Sequence, residues 1–151
     1  MEFTIELPVS ANELFTCLNQ SIIDDIFTYI GKKTKIEEIK EGFSYKKNIS
    51  SNSQKPEYAY VTLTDYQPYK TYTVLYESNK RKTKVQYKVK EIEESKIEIL
   101  YSEELEKLVK DDKGEQIFMK VENDNKGKVP LFKRIQFRQV IKTIKKKRQT
   151  A

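Results

Sequence analysis

A chain of 151 residues with only four Gly and four Pro is sized for one ordinary domain, here 1–151, and is neither low-complexity nor repetitive. Its net charge of +6 is uneven, because residues 131–151 hold eight Lys/Arg and no acid, leaving 21 basic against 23 acidic residues, a net of −2, over positions 1–130. A near-neutral body excludes a generally basic nucleic-acid surface and leaves a local basic end.

"EFTIEL" alternates Phe3, Ile5 and Leu7 against Glu2, Thr4 and Glu6, which predicts a first strand ended by Pro8. Ser10 with Glu13 three residues on has the spacing of a capping box and opens a helix presenting Leu14, Phe15 and Leu18. A second helical stretch carries Ile22, Ile23, Ile26, Phe27 and Ile30, with Gly31 as its C-terminal cap and Asp24 and Asp25 on the opposite, wet face. Residues 32–42 read as a connection or a short irregular strand.

A run of strands follows. "GFSYKKNIS" offers Phe43, Tyr45, Lys47 and Ile49 to one face; "EYAYVTLTDY" puts Ala59, Val61 and Leu63 on one side and Tyr58, Tyr60 and Tyr66 on the other. "YKTYTVLYES" shows Tyr72, Val74 and Tyr76, "KTKVQYKVKEIE" shows Val85, Tyr87 and Val89, and "SKIEILYSEE" shows Ile97, Ile99, Tyr101 and Glu103. The connections are too short for parallel crossovers, so the strands form an antiparallel meander. A further hairpin turns at "DDKG" into a strand over 115–121. The chain ends in a helix whose Phe137, Val140, Ile141 and Ile144 share a face that docks on the body. Leu131, Phe132 and Ile135 lie elsewhere on that helix, so either it starts near 135 after a packed apolar lead-in or both faces of its first turns are covered. Residues 145–151 form a frayed basic tail.

The element order is strand, two short helices, six or seven strands, and a long terminal helix across the sheet, an α+β architecture. With the opening "FTIELPVSANELFTCL" it resembles the helix-grip fold of the START-like, pollen-allergen and polyketide-cyclase superfamily. "GFSYKK", the tyrosine-rich meander ending in "YSEE" and the basic terminal helix are similar to a small cytoplasmic family of bacterial (Firmicute) proteins known only as a domain of unknown function. The resemblance implies a curved sheet gripping the last helix with a cavity between them; it implies no activity.

Paired as read, the strands put Tyr45, Tyr72, Tyr76, Tyr87 and Tyr101 on one core-facing surface. That is more hydroxyl than a dry core usually holds. These tyrosines either line a cavity for a small hydrophobic or amphipathic ligand or close a filled core with their hydroxyls at its rim. Lys47 and Glu103 keep the same parity near strand ends. Rim placement is the simpler reading; inside a cavity they would orient a polar ligand group.

The chain has no histidine, which removes Ser–His and Cys–His nucleophiles, His-based metal sites and the usual neutral-pH base, and it has no phosphate-cradling Gly-rich loop. The expectation is a non-catalytic protein without cofactor or metal, monomeric or homodimeric. The start "MEFTIELPVS" is not a signal peptide, no apolar stretch approaches the ~20 residues of a membrane span, and a lone Cys17 fits a reducing cytoplasm. The alternative is an interaction module in which Lys142, Lys145, Lys146, Lys147 and Arg148 contact an acidic protein or, less readily, nucleic acid, against the plain reading of a solvated basic face.

Overall fold

The structure is a computed structural model and describes residues 1–50, 54–122 and 127–150. Strand β1 (Glu2–Leu7) leads into helix α1 (Ala11–Ile30), a 3-10 turn (Ile36–Glu38) and strands β2 (Ser44–Asn48), β3 (Tyr58–Gln67), β4 (Thr71–Glu77), β5 (Arg81–Glu93), β6 (Lys96–Lys110) and β7 (Gln116–Val121), and helix α2 (Leu131–Thr150) closes the chain. The strands make one antiparallel sheet in the order β1-β6-β5-β4-β3-β2, with β7 also on β6. β1 pairs with Ile97–Ser102 and β7 with Leu105–Lys110, so they lie end to end along one edge of β6 while β5 holds the other.

The predicted pair of helices is one 20-residue helix. Nothing between Leu18 and Ile22 breaks it, since "NQS" contains neither Gly nor Pro. Its start is the expected capping box, Glu13 N donating to Ser10 Oγ (3.1 Å) and Ser10 N to Glu13 Oε1 (2.9 Å). Its end is Gly31 at φ 75°, whose N–H bonds Phe27 O at 3.0 Å. The buried stripe is narrower than the sequence suggested: Leu14, Phe15, Ile22 and Ile26 are buried, but Phe27 and Ile30 face outward.

A β-bulge corrects one strand assignment. The β3–β4 register runs Leu63↔Val74 and then Asp65↔Thr73, so one extra residue reverses the side-chain alternation beyond Leu63. Tyr66, expected beside Tyr58 and Tyr60, therefore turns to the inner face. Tyr58 and Tyr60 stay outside.

With the bulge in place, the registers Tyr66↔Tyr72, Tyr72↔Tyr87, Tyr87↔Tyr101 and Tyr101↔Phe3 align an aromatic row across β3, β4, β5, β6 and β1. Its ring centroids are 5.7, 6.3, 5.3 and 4.9 Å apart in that order. Phe15 of α1 meets Tyr66 and Tyr72 at one end, and Phe137 of α2 meets Tyr101 and Phe3 at the other. Edge-to-face pairs of this kind contribute about 0.5–1.5 kcal/mol each beyond their buried area.

Two core clusters result. One joins β1, β6, the start of α1 and α2; the other joins the middle and end of α1 with β3 and β4, and Leu18, Tyr87 and Val89 pack against both. α2 seats Phe137 and Ile144 in the first cluster, with Val140 and Ile141 half-buried beside them. Neither expectation for its first turns fits, because the helix begins at Leu131 and Leu131, Phe132 and Ile135 are exposed. The basic end is helical to Thr150 rather than frayed, and Arg148 clamps Glu13 at 2.5 and 2.6 Å. Ala151 lies outside the described residues.

Candidate functional site: a tyrosine-lined pocket beneath α1

The sheet's inner face and α1 enclose a pocket of about 310 Å³. Leu18, Ser21, Ile22 and Asp25 come down from α1, Tyr45 and Lys47 from β2, and Tyr72, Val74, Tyr76, Val85 and Tyr87 from β4 and β5. The cavity expected between sheet and terminal helix lies instead under α1. α2 is seated over β1 and β6, where Phe137 packs edge-on against the stacked rings of Phe3 and Tyr101.

One end of the pocket is polar. Lys47 Nζ lies 3.0 and 2.9 Å from the two carboxylate oxygens of Asp25, and the Tyr45 hydroxyl donates to Asp25 Oδ2 in a very short bond. Lys47 also stands 4.6 Å over the Tyr29 ring. The side chains of Lys47 and Asp25 are 16% and 23% exposed, so the pair is half-buried at the pocket's edge.

Away from that pole the tyrosine hydroxyls find few partners. The Tyr72 side chain is 2% exposed and its hydroxyl has no hydrogen bond among the described residues. Burial raises the Tyr72 and Tyr87 phenols well above the ordinary tyrosine value and the Tyr76 phenol in the same direction, with neighbouring tyrosines and acids adding to it, and Tyr45 is raised by burial and then by its bond to Asp25. At neutral pH these groups are protonated, able to donate or accept hydrogen bonds and not to act as phenolate bases. Among the described residues no cluster of three or more Asp, Glu or Cys could hold a metal ion.

The residues singled out from sequence thus separate. Tyr45, Lys47, Tyr72, Tyr76 and Tyr87 line one pocket. Tyr101 and Glu103 do not: Tyr101 stacks on Phe3 and donates to Glu103 Oε2 at 2.9 Å, while Lys133 of α2 reaches Glu103 at 3.4 Å. Burial, with Tyr87 and Glu103 beside it, raises the Tyr101 phenol too. Glu103 fastens α2 to the sheet. Of the basic residues, Arg148 is committed to Glu13 and Lys147 lines the groove between α2 and α1, whereas Lys142, Lys145 and Lys146 point outward.

Asp25, assigned to the wet face, is the pocket residue that sequence reasoning missed. The signal was present, since Asp25 is seven residues after Leu18 and three after Ile22, on one helical stripe. Asn19, buried at 5% exposed, was also passed over; its Nδ2 donates to the Tyr66 hydroxyl at 3.1 Å and its Oδ1 is unpartnered among the described residues.

A curved antiparallel sheet with two long helices on its inner face is the helix-grip arrangement, an α+β fold. The chain belongs to the family described as a domain of unknown function, DUF3284, which matches residues 1–122 and so stops short of α2. No curated protein matches it. Among solved structures, the Mll3558 protein from Rhizobium loti is similar at 12% identity over 94% of this chain and 92% of that one, with a TM-score of 0.51. Ara h 8.0201 is similar at 15% identity over 100% and 99% of the two chains, with a TM-score of 0.47. The Zhui aromatase/cyclase from Streptomyces sp. R1128 is similar at 9% identity over 96% and 85%, with a TM-score of 0.43. At such identities the likeness concerns the fold. Among the described residues no helix is long and apolar enough to cross a membrane.

Proposed function

We propose that this chain is a non-catalytic, cytoplasmic binding domain whose pocket beneath α1 takes a small hydrophobic or amphipathic molecule. The observation that carries the reading is the pocket itself, walled by Tyr45, Tyr72, Tyr76 and Tyr87 with the Asp25–Lys47 pair at one end. A volume of about 310 Å³ lies at the small end of ligand pockets.

The lining also limits the chemistry. One ammonium faces one carboxylate and the phenols stay neutral, so the pocket has no net charge to draw a strongly ionic ligand. Tyrosine faces and Leu18, Ile22, Val74 and Val85 suit a flat or branched apolar body; the Asp25–Lys47–Tyr45 pole suits a polar end. No residue pair offers the separated acid and base that hydrolysis or cyclisation would use.

Intact mass under native and then denaturing conditions tests this. Extra mass lost on denaturation supports the reading and identifies the ligand class by weight. A bare chain that binds no member of a broad panel of small amphiphiles would count against it.

A further inference from the structure

The outer face of α2 is a surface that the pocket does not explain. At about 100° per residue, Arg134, Arg138, Lys142 and Lys146 recur every four positions with Lys145 beside them, a row that starts on the flank next to buried Phe137 and Ile144 and winds to the side opposite them. None of these five cations has an ion pair among the described residues. No acid interrupts them either, because α2 contains no Asp or Glu. Like charges four residues apart on a helix repel one another. Here no acid on the helix offsets that repulsion over about three turns.

The same face carries large apolar side chains at its leading end. Leu131, Phe132 and Ile135 are 71%, 67% and 47% exposed, and Leu131 and Ile135 interleave with the cationic stripe. Single exposed apolar residues are ordinary; three within five positions, at the head of a basic row, form a patch. Behind the helix the body has a net charge of −2 over residues 1–130, against +8 over 131–151. An anionic surface would therefore attract the helix and repel the rest, which fixes the orientation of approach.

We infer that α2 docks this protein on an anionic lipid bilayer, its basic stripe against the headgroups and Leu131, Phe132 and Ile135 in the acyl boundary. A bilayer is the occupant because it satisfies both halves of the surface at once: charge complementary to the row, and an apolar layer beneath it. Nucleic acid offers the charge and no place for exposed Leu, Phe and Ile. A folded acidic protein needs a groove or a matching concavity, and the outer side of a lone helix roughly 30 Å long is convex and even. Phe137, Ile144, Glu103–Lys133 and Glu13–Arg148 hold α2 on the body from its other side, so the helix can dock without leaving the fold.

The chain has no tryptophan, so Phe132→Trp supplies a single fluorescent reporter at an exposed position. The experiment uses full-length protein with vesicles of phosphatidylcholine alone or with phosphatidylglycerol, at physiological ionic strength. Expected are flotation with the anionic vesicles only, a blue shift of the reporter, and loss of at least about a hundredfold in affinity in Arg138→Glu/Lys142→Glu/Lys146→Glu. That triple variant and Leu131→Ser/Ile135→Ser alter only exposed positions, and their melting curves verify the fold. The inference is overturned if wild type fails to float with anionic vesicles, or floats equally after charge reversal. Association without a blue shift, or equal association with an acidic polypeptide or duplex DNA, would overturn it as a general polyanion effect.

Discussion

Removing the hydroxyl of Tyr72 and that of Tyr66 should move stability in opposite directions. The two rings are neighbours in the aromatic row, 5.7 Å apart, and Phe preserves the packing of either. Tyr72 Oη is buried with no partner among the described residues, so Tyr72→Phe discards an unsatisfied group and recovers part of its roughly 1–3 kcal/mol burial cost. Small shifts of the surrounding side chains can meet some of that need, which places the expected gain near the lower end, about 1 kcal/mol. Tyr66 Oη accepts from Asn19 Nδ2 at 3.1 Å, and Asn19 is 5% exposed with its Oδ1 already unpartnered among the described residues. Tyr66→Phe therefore orphans a buried amide and costs about 1–3 kcal/mol. For a chain of this size each kcal/mol moves Tm by about 2–4 °C. Differential scanning calorimetry on protein whose intact mass is that of the bare chain would read both shifts. A fall in Tm for Tyr72→Phe as large as that for Tyr66→Phe would refute the reasoning, because it would mean the Tyr72 hydroxyl is already satisfied without ligand.

Phe137→Ala removes the ring that α2 places against Phe3 and Tyr101, and at 5% exposed it should cost about 3–5 kcal/mol in urea unfolding; a cost under about 1 kcal/mol would mean α2 is not docked there. Asp25→Asn leaves the Lys47 ammonium half-buried without its carboxylate and should destabilise by about 1–3 kcal/mol, between the surface and buried limits for ion pairs. A cycle with Lys47→Met should then show coupling between the two, and additive effects would deny the pair. The Arg148 guanidinium lowers the Glu13 carboxyl from 4.5 to about 2, so its stabilising contribution is complete above 4.5 and disappears as pH falls toward about 2. Melting temperatures of wild type and Glu13→Gln, which keeps the capping acceptor for Ser10, should accordingly converge on acidification from pH 6 to pH 2; a constant gap would contradict the linkage.

Much of the framework could be read from local pattern. The capping box at Ser10 and Glu13, the Gly31 stop and the two-residue alternation of the meander are rules of adjacent residues, and they place α1 and six strands. Tyr45, Lys47, Tyr72, Tyr76 and Tyr87 were grouped by parity alone, and they do share the pocket. What escaped depends on three-dimensional register. One extra residue after Leu63 turns Tyr66 inward, and no local signal in "LTDY" announces it. Parity equally made Tyr101 and Glu103 part of the same surface, but where each strand lies across the sheet decides which helix covers it. β6 lies under α2, so Tyr101 meets Phe137 and Glu103 meets Lys133. Asp25 was legible on the helical wheel and was set aside because a carboxylate among aspartates usually faces water. Its partner Lys47 comes from another element, and only the fold brings them together.

The central claim is that the tyrosine face under α1 is a binding site, and ring-selective NMR tests it most directly. With the ten tyrosines isotopically labelled and assigned by substitution, a titration with N-phenyl-1-naphthylamine, an uncharged aromatic probe, follows every ring at once. The account predicts that Tyr45, Tyr72, Tyr76 and Tyr87 shift in a saturable manner, while Tyr58, Tyr60 and Tyr69, exposed and outside the pocket lining, do not. Saturable binding that leaves those four rings unmoved would place the ligand elsewhere and contradict it.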